Sequence, residues 1–328
     1  MHMLTFKQII EKIDQLEEAN ILLAALELKI FSILGKNSLT SGRIAIQAET
    51  KPVETEMLLN ALVAMGALRK VNSSYKNTSE TYRHLCNSSP DFKKGMLKLR
   101  EENRKEWTNL LETLKNGRDL TQYDGGDDPD FRWFFTHAMH ERSEFYSRKV
   151  AGFVARKPVG RLLDLGGGPG SYSAAILKKD KKATATLFDR KSAIHVAKEI
   201  LAGNRVLSRF DFIEGDLFQT DYGGNYDTVL FSNILHIYNP AENKILFRKI
   251  HQSLVKGGRF ILADLFLNEN KTEPFDAALF SLTMLMFTAT GKTYTFKETK
   301  DLLKKTGFGS CKILKLEKGS SIIKAVKL

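Results

Sequence analysis

An apolar run that ends in an acid and passes straight into clustered glycines, Leu-Leu-Asp-Leu-Gly-Gly-Gly-Pro-Gly at residues 162–170, restricts this chain more than any other segment. Gly166, Gly167 and Gly168 remove the Cβ atoms that hold a ligand off the backbone, and they permit positive φ where a strand turns into a helix. A dinucleotide fingerprint requires G-x-G-x-x-G. Neither frame closes here, because Ser171 stands three residues past Gly168 and Ser173 three past Gly170. Asp164, two residues before the first glycine, repels a pyrophosphate and attracts an ammonium group. S-adenosylmethionine carries an ammonium, a sulfonium and no phosphate, which makes it the expected cofactor.

At 328 residues and 42% hydrophobic content the chain has room for one large domain and a smaller one. No apolar run reaches the length of a membrane span, and the first residues show no signal-peptide core. A cytoplasmic protein with no membrane partner is expected. Cys86 and Cys311 lie far apart and match no zinc, redox-pair or iron–sulfur spacing, so no metal is expected. The formal charge of +12 raises the question of nucleic acid. The basic residues are spread over helix faces (Lys93, Lys94, Lys98, Arg100) and a turn (Lys178, Lys179, Lys181), with Glu101, Glu102 and Asp180 interleaved. Such a spread reads as a solvated surface, and no nucleic-acid partner is expected.

Along the chain, residues 21–34 carry apolar side chains at helical spacing and Gly35 follows as a stop. A second helix runs from Thr40 and Ser41 to Gln47. A third opens at Pro52 and presents Leu58, Leu59, Leu62, Val63 and Met65 to a core. Residues 68–71 and 75–77 then form a two-stranded wing. In a DNA-reading winged helix the third helix needs basic or amide groups in its first turn, whereas Val53, Glu54, Thr55 and Glu56 stand here. The reading is a mainly α winged-helix dimerisation domain over 1–100, with the helix at 21–34 packed on a partner copy. A long polar helix is expected over 91–116, a loop at 123–127 and an aromatic helix over 131–153. Strands follow at 161–165, 183–188, 210–213, 228–231 and 259–263 with helices between them, which implies an α/β, doubly wound, Rossmann-like sheet. A closing hairpin, 311–316 with 321–326, adds one antiparallel strand. The second domain thus covers 101–328, with linker helices in 101–158.

Ligands of such sheets sit beyond the carboxyl ends of the strands, and each of these ends carries a polar residue. Asp189 closes the second strand, where its carboxylate can accept from ribose hydroxyls. Asp216 can accept from an adenine amino group, with Leu217 and Phe218 walling the ring. Ser232 ends the fourth strand as a further cofactor contact. His236, just beyond it, can take the proton of an acceptor hydroxyl, and Asp264 at the end of the fifth strand can fix its tautomer. Phe135, Met139 and Met286, with Trp133, Phe134, Met284 and Phe287, are candidates for the acceptor wall.

These residues resemble the caffeic acid/acetylserotonin-type O-methyltransferases, class I S-adenosylmethionine-dependent enzymes with an N-terminal winged-helix dimerisation domain. The segments 24–31 (Ala-Ala-Leu-Glu-Leu-Lys-Ile-Phe), 59–66, 135–139 (Phe-Thr-His-Ala-Met) and the glycine motif carry the resemblance over nearly the whole length. It implies that Gly166 and Gly168 line the methionine moiety, Asp189 the ribose, and Asp216 with Leu217 the adenine. It also implies that Met139 borders the acceptor and that His236 is the base of an L-H-D-W-like motif, in which Ile237 and Tyr238 replace the Asp and Trp. In the segment 291–295, Thr293 stands where the family usually has a histidine-orienting glutamate. The expected enzyme is a homodimer that methylates a small, largely apolar acceptor, aromatic or like a polyketide, quinone or tetrapyrrole, on oxygen. Relatives on this scaffold methylate carbon or nitrogen, so those acceptor atoms stay open. Two further alternatives are an RNA or protein methyltransferase, which the charge permits, and a winged-helix regulator, which Glu54 and Glu56 oppose.

Overall fold

The computed structural model describes residues 3–118, 126–317 and 319–328. The chain forms two compact units, Met1–Leu97 and Lys98–Leu328. The first contains α1 (Phe6–Glu27), α2 (Ile30–Leu34), β1 (Leu39–Thr40), α3 (Ser41–Gln47), α4 (Pro52–Ala64), β2 (Leu68–Val71), β3 (Ser74–Asn77) and α5 (Ser79–Leu85). A reciprocal cap between Thr5 and Gln8 starts α1, and Pro52 in the first turn with Glu54 starts α4. The single helix expected over 21–34 is broken. Lys29 takes a left-handed conformation (φ 56°), and the break turns Ile30, Phe31 and Leu34 into a core shared with Ala25, Leu59, Leu62 and Tyr75. The three strands pair in the order β1-β3-β2, giving the wing.

In the second unit, α6 (Lys94–Trp107, whose first residues belong to the first unit), α7 (Leu110–Asn116), α8 (Pro129–Ser143) and α9 (Ser147–Val154) precede the sheet. The helices expected over 91–116 and 131–153 are each interrupted. Thr108 and Ser143 turn their hydroxyls back onto the carbonyls of Lys105 and His140, each at 2.6 Å, which competes with helix continuation. Of the loop expected at 123–127, residues 123–125 lie outside the described residues.

The remaining elements are β4 (Arg161–Leu165), α10 (Ser171–Lys179), β5 (Thr184–Asp189), α11 (Lys191–Leu201), β6 (Phe210–Glu214), β7 (Tyr226–Ser232), α12 (Pro240–Ser253), β8 (Leu254–Leu267), α13 (Phe275–Phe287), β9 (Tyr294–Thr295), α14 (Phe296–Lys305), β10 (Phe308–Lys315) and β11 (Ser320–Lys327). The main sheet runs β10-β11-β8-β7-β4-β5-β6, with β9 paired to the end of β8. Strands β8, β7, β4, β5 and β6 are parallel, and β11 is antiparallel to both of its neighbours. Lys318 lies outside the described residues.

Alternate residues face opposite sides of the sheet, as the period of a strand requires. Leu163, Leu165, Val229, Phe231, Phe260 and Leu262 pack into one core; Leu162, Ala185, Leu187, Leu230 and Ile261 pack into the other. Both faces are covered, so the strands read as unbroken apolar runs. The strand order reverses at β4, whose parallel neighbours are β5 on one side and β7 on the other. A doubly wound sheet opens its ligand crevice at the carboxyl ends of such a pair.

Candidate functional site

The glycine loop leaves the end of β4 tightly folded. Gly166, Gly168 and Gly170 all have positive φ, and the Gly166 N–H donates to the Phe188 carbonyl at 2.8 Å. At Gly167 a Cβ would lie 2.3 Å from Leu187 and 2.6 Å from the Asp164 carboxyl carbon, so only glycine fits over the strand end. Gly168 differs, since a Cβ there would meet nothing within 4 Å. The loop therefore has one side packed on the sheet and one side open.

Asp164 lies beneath this loop, fully buried, and its Oδ2 accepts from the Ser173 hydroxyl at 2.6 Å while Oδ1 has no partner. Burial pushes its pKa up to about 7, against the lowering effect of Ser173 and with some help from the negative charge of Asp189. Asp189, at the end of β5, ties the loop down. Its Oδ2 accepts from the Gly168 N–H at 2.7 Å and its Oδ1 from the Arg190 N–H at 2.8 Å. Burial raises the Asp189 pKa, while these two backbone donors pull it back.

Asp216 is spent largely on its own turn. Its Oδ1 accepts from Phe218 N–H and Gln219 N–H, and its Oδ2 pairs with Arg190 at 3.0 Å. Leu217 and Phe218 belong to this turn, and the Phe218 ring meets Tyr238 edge-to-face at 5.0 Å. The turn is held from behind by Lys249 of α12, whose ammonium donates to the carbonyls of Leu217, Phe218 and Thr220, each at 2.9 Å.

At the end of β7, Ser232 is buried and Asn233 turns left-handed (φ 58°), donating its N–H to Ala263 of β8. One further turn, Leu235–Ile237, carries His236. Its Nδ1 lies 2.6 Å from Asp264 Oδ1, which also accepts from the Leu265 N–H at 2.7 Å. His236 is 8% exposed and Asp264 1%, and Asp264 Oδ2 has no partner. A carboxylate only accepts, so Nδ1 carries the hydrogen, and in the neutral ring Nε2 holds the lone pair. Thr293, buried with its hydroxyl unpartnered, makes no hydrogen bond to His236; orientation of the ring falls to Asp264.

Phe280 of α13 packs against the imidazole at 4.8 Å, nearly perpendicular to it. Met286 is buried on the same helix, Met139 is half-buried on α8, and Phe135 stacks on Phe131 of its own helix at 5.3 Å. The carbonyl of His236 accepts from Lys292 N–H at 3.0 Å, and a Cβ on Gly291 would lie 2.3 Å from that oxygen. Arg118 fastens the same segment by donating to the carbonyls of Ala289 and Gly291 at 2.8 and 2.7 Å. His140, which spacing left without a role, bonds Ser171 at the start of α10 (2.7 Å). Sequence reading also passed over Arg190, Lys249, Phe280 and Arg118. Only Arg190, adjacent to Asp189, carried a local signal.

Two features fit S-adenosylmethionine: an unpartnered carboxylate oxygen beneath a glycine loop whose outer side is open, and the acid that ends β5, bonded to that same loop. Residues 107–309 match the O-methyltransferase domain family, and residues 11–85 match the O-methyltransferase dimerisation domain. The 3-hydroxy-5-methyl-1-naphthoate 3-O-methyltransferase of Streptomyces sahachiroi is 26% identical over 295 residues, covering 87% of this chain and 84% of that protein. Among solved structures, PigF with SAH is 27% identical at a TM-score of 0.87, covering 99% of this chain and 100% of that one. An O-methyltransferase family protein from Burkholderia thailandensis superimposes with a TM-score of 0.90 at 21% identity over 99% of each chain, a likeness of fold. The chain belongs to the O-methyltransferase family, as an S-adenosylmethionine-dependent enzyme that carries an O-methyltransferase dimerisation domain ahead of its catalytic sheet.

Proposed function

We propose that this enzyme methylates a hydroxyl on a small, largely apolar aromatic acceptor, with His236 as general base and Asp264 as its positioning partner. The pair carries the reading: Nδ1 and a buried carboxylate oxygen at 2.6 Å, toward the carboxyl ends of adjacent parallel strands and beside the glycine loop. When bound, S-adenosylmethionine supplies an electrophilic methyl group on a sulfonium. Asp164, Gly166 and Gly168 hold its methionine end, Asp189 its ribose, and Asp216, Leu217 and Ser232 its nucleoside side. Asp216 does so mainly by shaping the turn, since Arg190 and two backbone N–H groups already occupy its oxygens.

On the acceptor side, Phe135, Met139 and Met286 wall the ring. His236 Nε2 takes the hydroxyl proton as the oxygen becomes nucleophilic, and the buried Asp264 carboxylate stabilises the imidazolium that forms. The relative from Streptomyces sahachiroi, named for transfer to the 3-oxygen of an aromatic ring, supports oxygen as the acceptor atom. We further propose a homodimer in the cytoplasm, with neither nucleic acid nor membrane as partner. Free Cys86 and Cys311 accord with a reducing compartment, and among the described residues no helix is long and apolar enough to cross a membrane.

Replacing His236 with Ala is expected to lower kcat on a phenolic substrate by ~10²–10⁴-fold, the usual worth of general base catalysis. Calorimetric affinity for S-adenosylhomocysteine stays the same. Undiminished turnover in that variant removes His236 from the role of base.

A further inference from the structure

Arg142 stands in the last turn of α8, half-buried, with its guanidinium carbon 5.7 Å from the centroid of the Phe280 ring. The same ring packs edge-to-face on His236 at 4.8 Å. One phenyl group therefore separates the cation from the base, within the span of a substituted bicyclic aromatic. The guanidinium lies over the Phe280 ring as a cation on its π face. Among the described residues no hydrogen bond or ion pair occupies its N–H groups; Asp264 is enclosed, its Oδ1 taken by His236 and Leu265 and its Oδ2 buried without a partner.

Arg100 of α6 holds its proton less firmly than an ordinary arginine, first through partial burial and second through the like charge of Arg142. The Arg142 charge also reaches Tyr172, whose hydroxyl bonds Asn233 and whose pKa is raised by burial. The negative end of the α8 dipole favours one arginine at this turn. It supplies no acceptor for the N–H groups of Arg142, which an anion would provide.

We infer that the acceptor carries a carboxylate, gripped by Arg142, on the far side of the ring from the hydroxyl presented to His236. Where the hydroxyl sits rests on the O-methylation reading; the carboxylate grip stands on Arg142 and its place against Phe280. A guanidinium meets a carboxylate through two parallel N–H···O bonds, which fixes the ring's direction as well as its affinity.

The test is calorimetry on the full-length protein saturated with S-adenosylhomocysteine, using 6-hydroxy-2-naphthoate and its neutral amide, 6-hydroxy-2-naphthamide. The acid is expected to bind at least about tenfold tighter than the amide, in line with a charge-assisted hydrogen-bond pair. Arg142→Gln is expected to bring the ratio of the two affinities close to one, and Arg142→Lys to retain part of it. Affinity for S-adenosylhomocysteine reports that each variant is folded. Equal binding of acid and amide by the unaltered protein, binding of neither, or a parallel loss of both in Arg142→Gln overturns the carboxylate grip. Turnover of the same two compounds with S-adenosylmethionine is scored separately. A tightly bound acid that is never methylated counts against the O-methylation reading and leaves the grip standing.

Discussion

Asp164 is the residue whose environment departs most from that of a free side chain. A buried carboxyl with one unpartnered oxygen favours its protonated form, and burial places its pKa at about 7. The stabilisation from the bound proton is complete below the ordinary carboxylate range and is lost as the pH rises through about 7. Within that window the folded chain holds a proton that the unfolded chain has released. The contribution falls there by up to about 1.4 kcal/mol per pH unit. Asp164→Asn keeps an acceptor for Ser173 and has no proton to lose. Its denaturant midpoint relative to the unaltered protein is expected to rise between about pH 4 and about pH 8; a constant difference across that range refutes the assignment. Gly167 illustrates how far the single residue was legible. Clustered glycines announce a tight loop, but the reason at this position, a Cβ driven into Leu187 and Asp164, involves a strand 20 residues onward.

At the scale of elements, the strands and their polar ends were readable because each is a short, contiguous signal. Asp189 ends β5, and Asp216 and His236 lie just beyond β6 and β7; Asp264, expected to end its strand, instead lies inside β8, which pairs onward with β11 and β9 as far as Leu267. The helices were read too long. Apolar spacing resumes on the same core face after the break at Lys29, so periodicity alone runs through it. Groups that brace the site across elements left no sequence signal, because Arg118 and Lys249 bond carbonyls about 170 and about 30 residues away. Lys249 gives a prediction at this scale. Its ammonium joins α12 to the turn after β6, and burial lowers its pKa against the pull of Asp216 and Asp221. Lys249→Met leaves three carbonyls without their donor. It is expected to cost on the order of 2 kcal/mol in stability and several-fold in S-adenosylhomocysteine affinity, read by thermal melting and calorimetry. A variant with unaltered affinity would show that the turn keeps its shape without the lysine.

For the whole molecule, the decisive surface lies in the first unit. Phe6, Ile9, Ile13 and Leu16 are exposed on α1, at successive spacings of three, four and three residues. That interval makes one continuous apolar seam, which a lone chain has no reason to show to water. Glutamates at both Ile9 and Ile13 are expected to convert the proposed homodimer to a monomer in sedimentation velocity. A dimer that survives both substitutions places its contact elsewhere. Within the second unit, the sheet itself reaches the chemistry. Asp264 is registered opposite Ser321, so the acid behind His236 is flanked on one side by β7 and on the other by the lone antiparallel strand β11. Loosening of β11 would swing the acid before it disturbed the glycine loop three strands inward. On the proposed role of His236, mild damage there is then expected to leave a silent catalyst, one that still captures its methyl donor and no longer spends it.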